Sequence, residues 1–143
     1  MLATRFIYDE VESGRVRLAF REDYHASLAY HTACHMAKLG WAVYSVGLLR
    51  MIPGLELTVL DTECCGIAGT FGFKKENYPY SQKIGARLFD SIRSSGASAV
   101  VTDCETCKWQ IEGSTEFRVL NPVEVLVEAL DLEETFRLNC AHG

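Results

Sequence analysis

Ala97-Ser-Ala-Val-Val101-Thr-Asp-Cys104-Glu-Thr-Cys107 joins a short β-branched run directly to a C-x-x-C pair. Gly96 separates it from the stretch before, and Cys107 to Ile111 opens a helical pattern after it. The same order, strand and then cysteine, occurs twice more upstream. Leu55-Glu-Leu-Thr-Val-Leu60 reads as a strand and runs through Asp61-Thr-Glu into Cys64-Cys65-Gly66. Ser27-Leu-Ala-Tyr-His31 is a third strand, followed by Thr32-Ala-Cys34. Helical spacing fills the gaps: Tyr44, Leu48 and Ile52 within Trp41 to Ile52, then Ile84, Leu88 and Ile92 within Tyr80 to Ser94.

Outward from these units, Leu2 to Glu12 has helical spacing, with Phe6, Ile7 and Val11 on one side and Gly14 as its stop. Val16 to Phe20 is short and extended in character. Phe117 to Leu120 is a last short strand, and Pro122 suits the first turn of a final helix with a Val123, Leu126, Val127, Leu130 stripe. Strands alternating with helices predict right-handed βαβ units. The expected fold is therefore α/β: one domain, a small, mostly parallel sheet flanked by helices. Residues 1–24 form a helical lead-in and residues 25–131 the core region.

In a parallel sheet all strands point one way, so whatever follows their ends collects along one edge. Open α/β sheets bind ligands there. Cys34, Cys64, Cys65, Cys104 and Cys107 are thus expected to converge, with Cys140 elsewhere.

Composition narrows the classes. The chain has 143 residues, with 14 Lys+Arg against 19 Asp+Glu and a net charge of −5, which disfavours a nucleic-acid binder that works by phosphate neutralisation. No apolar run approaches the ~20 residues of a membrane-spanning helix. The first ten residues turn acidic too early for a signal peptide. Six cysteines could build a secreted disulfide framework, but such frameworks usually staple chains that lack a core. A chain this long buries roughly 68–70% of its unfolded surface.

Several converging thiolates point to zinc or an iron–sulfur cluster. Zinc takes four ligands in a closed tetrahedron. Five cysteines exceed that complement, and the adjacent pair Cys64–Cys65 projects to opposite sides of an extended backbone. The spacing favours iron–sulfur. Two rivals stand beside it: a thiol–disulfide reductase using Cys104 and Cys107, and a zinc-stabilised interaction module. No Ser/His/Asp set or paired carboxylates suggests acid–base catalysis.

Other residues are weighed against this centre. Gly66 to Lys75 is glycine-rich but matches no phosphate-loop pattern, and its glycines could bring backbone N–H groups to sulfur. His31 and His35 flank Cys34 and suit a supporting or helix-capping role better than ligation. Lys74, Lys75 and Lys108 are read as solvated, Trp41 and Trp109 as core, and Cys140 as an inert thiol.

The pattern Cys34…Cys64-Cys65-Gly66…Cys104-x-x-Cys107 resembles the cysteine-rich CCG domain family. That domain recurs in heterodisulfide reductase, in glycolate and lactate oxidation iron–sulfur proteins, and in anaerobic glycerol-3-phosphate dehydrogenase. The runs Tyr30 to Trp41, Cys64 to Pro79 and Thr102 to Glu112 are most similar to the last group. The resemblance implies an electron-transfer subunit that is not catalytic alone. It implies an iron–sulfur cluster, 4Fe–4S of noncubane type, held by Cys34, Cys64, Cys65, Cys104 and Cys107. It further implies a flavoprotein and other subunits as partners, electrons passing to the quinone pool, and a peripheral position on the cytoplasmic membrane face. By the same resemblance the chain corresponds to the C-terminal part of a longer protein, after a ferredoxin-like module and another CCG domain.

Overall fold

The computed structural model describes residues 2–61 and 63–141; Met1, Thr62, His142 and Gly143 lie outside them. Four parallel strands stand in the order β2-β1-β3-β4: β1 Ala26–Tyr30, β2 Leu55–Val59, β3 Ala99–Val101 and β4 Val119–Leu120. Seven α-helices accompany them among the described residues: α1 Ala3–Glu12, α2 Cys34–Leu39, α3 Ala42–Arg50, α4 Tyr78–Ser94, α5 Glu105–Ser114, α6 Pro122–Ala129 and α7 Leu132–Cys140.

Both sheet faces are covered, and strand alternation divides the core. Ala29, Val100 and Val119 point to one face, where Met36 of α2, Leu88, Phe89 and Ile92 of α4 and Ile111 of α5 pack. Leu28, Tyr30, Ala99, Val101 and Leu120 point to the other, against Leu49 of α3 and Val125, Leu126 and Ala129 of α6. The chain moves left from β1 to β2 through α3 and right from β2 to β3 through α4. Opposite directions of travel with one crossover hand put those helices on opposite faces. Strand order therefore reverses beside β1, and a crevice opens beyond the carboxyl ends of β1 and β3.

The expected α/β class and parallel sheet are what the structure contains, with several local corrections. Val16 to Phe20 joins no strand ladder. Its amides find side chains on α7 instead: Arg17 N–H donates to Asn139 Oδ1 at 2.9 Å and Ala19 N–H to Thr135 Oγ1 at 3.0 Å. Only an isolated antiparallel bridge, Phe20 to Leu130, resembles sheet. α2 and α7 are additional to the helices that periodicity predicts. α2 is a six-residue helix ended by Gly40 in the left-handed region at φ 65°.

Two helical stripes are also rotated from expectation. α4 buries Ser81, Gly85, Leu88, Phe89 and Ile92, leaving Ile84 exposed. α6 buries Pro122, Val125, Leu126 and Ala129, leaving Val127 exposed. Both helices carry apolar residues on more than one side, so periodicity alone does not choose the face. Trp109 is 57% exposed rather than core, because Cys107, Gln110 and Ile111 take the buried side of α5. It lies beside the Phe73 ring, centroids 6.1 Å apart.

Candidate metal centre

Beyond the carboxyl ends of the strands lies a cavity of about 330 Å³, lined by Cys34, Cys64, Cys65, Cys104 and Cys107. Residues up to 73 positions apart in sequence thus share one wall (107 − 34). Cys140, at the end of α7, does not line the cavity and is exposed.

Each cysteine is held by a local device. Cys34 opens α2, which is tied down by buried Ala33 and Met36. Cys104 is the N-cap of α5, and Cys107 occupies that helix's first turn, so both sulfurs lie at a positive helix end. Just before them, the Asp103 carboxylate is gripped from two elements. Ser45 Oγ of α3 donates to its Oδ1 at 2.7 Å, and the Tyr30 hydroxyl at the end of β1 donates to Oδ2. Burial first, and then the Asp103 charge, push the Tyr30 pKa far up, so the phenol keeps its proton.

Cys65 and Gly66 are pressed against α4. Gly66 has φ +88°, and a Cβ there would stand 2.0 Å from the Ser81 carbonyl oxygen. Across the contact, a Cβ on Gly85 would stand 2.5 Å from the Cys65 carbonyl oxygen. Only glycine allows this approach from either side. Gly66 N–H also donates to Cys64 Sγ at 3.3 Å, the backbone-to-sulfur contact expected of this loop. Gly72 serves elsewhere: it packs against Ile67 and Ser81, on the side toward Phe73 and Trp109.

The sulfurs fall into two groups. Cys65 and Cys107 are buried, 2% and 5% exposed, with sulfurs 3.1 Å apart. Two sulfurs on one tetrahedral ion stand roughly 3.7 Å apart, given bonds of about 2.3 Å. The two arrangements differ by about 0.6 Å. Cys34 is exposed and Cys64 partly so. Charge follows the same division. The Cys107 thiol holds the Cys65 pKa down to about 5 against burial, with the His31 imidazole assisting. It likewise holds Cys104 at about 4, with the Thr106 hydroxyl, 3.2 Å from Cys104 Sγ, and nearby backbone N–H groups assisting. Cys107 itself is pushed far up, first by its bond to Cys104 and then by Cys65. Burial, and then Cys64, raise Cys34. Cys65 and Cys104, both favoured as thiolates and lining one cavity, suit a bound cation.

His31 has a different address from His35. His35 lines the cavity, whereas His31 is fully buried, with a ring nitrogen and the Cys65 and Cys107 sulfurs all within 4.8 Å of one another. Lys38 also lines the cavity, a residue that the sequence reading passes over; its place four residues after Cys34 on α2 is the signal that could have found it. Lys74 and Lys75 are exposed, and Lys108 reaches Glu124 at 3.9 Å.

Residues 28–112 match the family model of the cysteine-rich CCG domain. The chain belongs to the CCG family. It is 57% identical over 129 residues to one subunit of the anaerobic glycerol-3-phosphate dehydrogenase of Escherichia coli K12, covering 90% of this chain and 32% of that protein. Lactate utilization protein A of Halalkalibacterium halodurans is 32% identical, covering 81% of this CCG chain and 50% of that one. Its namesake from Geobacillus sp. WCH70 is 38% identical, with 86% and 50% covered. The chain thus spans about a third to a half of the curated relatives it matches. No helix among the described residues is long and apolar enough to cross a membrane.

Proposed function

We propose that this CCG chain is an iron–sulfur electron-relay domain, working within an anaerobic glycerol-3-phosphate dehydrogenase. The observation that carries the reading is the single cavity lined by five cysteine side chains at the switch point of the sheet. The donor set is soft, larger than zinc uses, and already thiolate-rich at Cys65 and Cys104. On this reading Cys34, Cys64, Cys65, Cys104 and Cys107 hold a 4Fe–4S cluster of noncubane type. Such a group stores and releases single electrons.

The protein's own part is positional. Cys65 and Cys107 form a buried floor, Cys104 is half-buried beside them, and α2 carries Cys34 over an open side facing solvent. The Gly66 amide donates to sulfur and offsets negative charge there. Residues 25–131 make up the relay unit, with residues 1–24 as a helical lead-in. On this reading a flavoprotein is the electron donor, quinone the acceptor, and the domain sits peripherally at the cytoplasmic membrane face; the similarity to the E. coli dehydrogenase subunit supports membership of such a complex.

The test is anaerobic reconstitution of the 143-residue chain with iron and sulfide, followed by metal and sulfide analysis and electron paramagnetic resonance. Iron and sulfide in matching amounts, enough for one 4Fe–4S cluster per chain, are expected. Zinc held in preference to iron, with no sulfide, would sink the relay. Disulfide-reductase activity that survives loss of Cys34 and Cys65 would favour the thiol–disulfide rival.

A further inference from the structure

His31 is the residue the five-cysteine reading leaves without a task. It follows β1 directly, and its backbone N–H donates to the Val101 carbonyl at 2.9 Å, so the sheet itself sets its place. Its side chain is completely buried, yet neither Nδ1 nor Nε2 has a hydrogen-bond partner. A histidine side chain at neutral pH carries at least one N–H. Leaving such a donor buried and unmatched is destabilising, because it loses its bond to water and gains none in return. The Cys65 and Cys107 sulfurs, acceptors in kind, lie within 4.8 Å of a ring nitrogen.

We infer that His31 is a positioning residue for the metal centre, donating its ring N–H to the sulfur shell between Cys65 and Cys107 and thereby raising the reduction potential. This rests on the iron–sulfur reading above. Five thiolates supply the donors that iron prefers but concentrate negative charge, and reduction adds one more. A hydrogen bond to sulfur strengthens as that charge grows, so it favours the reduced state. The inner floor is dry, which keeps water from replacing the imidazole there and increases its electrostatic effect. The outer sulfurs of Cys34 and Cys64 have solvent for the same purpose. One buried donor beneath the inner pair complements solvent above the outer pair.

The experiment compares the anaerobically reconstituted wild-type chain with His31→Leu and His31→Gln. Iron and sulfide content are measured, and midpoint potential is followed by paramagnetic resonance during redox titration. The inference expects equal iron and sulfide in all three, a lower midpoint in His31→Leu, and recovery toward wild type in His31→Gln, which keeps an N–H donor. An unchanged midpoint in His31→Leu overturns it, as does loss of iron from both variants, which would make His31 a ligand. Pulsed resonance on the wild-type chain decides the matter even if His31→Leu does not fold. A hydrogen bond gives weak nitrogen coupling with an exchangeable proton; a directly bonded nitrogen gives strong coupling and overturns the inference. A wild-type chain that binds no iron or sulfide fails at the earlier step and identifies the cluster reading as the error.

Discussion

The inner and outer halves of the cysteine cavity are built on different principles. Cys65 and Cys107 sit against the core, with α4 pressed on the Cys65–Gly66 backbone and α5 carrying Cys107. Cys104 is set in place by the Asp103 clamp, which joins β1, α3 and the end of β3. Cys34 rides on a six-residue helix, and Cys64 on the loop beyond β2. An isolated helix that short has almost no stability of its own. The inner sulfurs are positioned by folding whether or not a metal is present, whereas the outer ones depend more on what they bind. Preorganisation and access occupy opposite sides of one cavity.

Replacing an inner cysteine should have the largest effect. Cys65→Ser or Cys107→Ser should remove most bound iron and destabilise even the metal-free chain by about 1–3 kcal/mol, since each leaves a poorly matched hydroxyl in the core. Cys34→Ser should also lower iron, but the metal-free chain should melt within about 0.5 kcal/mol of wild type. Metal analysis with thermal melts of the metal-free proteins makes the comparison. Equal melting losses at Cys34 and Cys65 would erase the distinction between the halves.

Gly66→Ala tests the floor without touching a cysteine. A left-handed φ and a clash with the Ser81 carbonyl should cost about 2–5 kcal/mol. Circular dichroism melts should record it, and iron retention should fall in parallel. A wild-type melting temperature would mean that α4 can move aside freely, and that the inner half is not rigid.

A milder probe is Tyr30→Phe, which keeps the ring and removes one grip on Asp103. The loss should be about 1–2 kcal/mol, because a half-buried carboxylate oxygen loses a charge-assisted donor. Denaturant titration would read it, and iron content should decline only slightly because Ser45 still holds the other oxygen. Smallest of all, Cys140→Ser should leave stability within about 0.5 kcal/mol and iron unchanged, since the side chain is exposed on α7 away from the cavity. Iron loss there would require a sixth thiol at the site.

The sequence by itself contains the sheet and the meeting of its cysteines. Strand periodicity and glycine stops identify β1, β2 and β3, and parallel geometry then leaves the following residues no other edge to occupy. Cys34, Cys64, Cys65, Cys104 and Cys107 are legible for that reason, and so is the separateness of Cys140. Tertiary structure alone decides the rest. Which side of α4 and α6 is buried depends on the neighbours each helix meets, since both have apolar residues on several sides. Val16 to Phe20 has extended character, and it is α7 that satisfies its amides in place of another strand. His31 beside Cys34 in sequence could have capped a helix or faced solvent. Its burial close to Cys65 and Cys107 depends on Val101, whose carbonyl takes its backbone N–H, and on Cys107 of α5, residues some seventy positions away. Local periodicity is written in each segment, but burial and the pairing of polar groups belong to surfaces that exist only once those segments have packed.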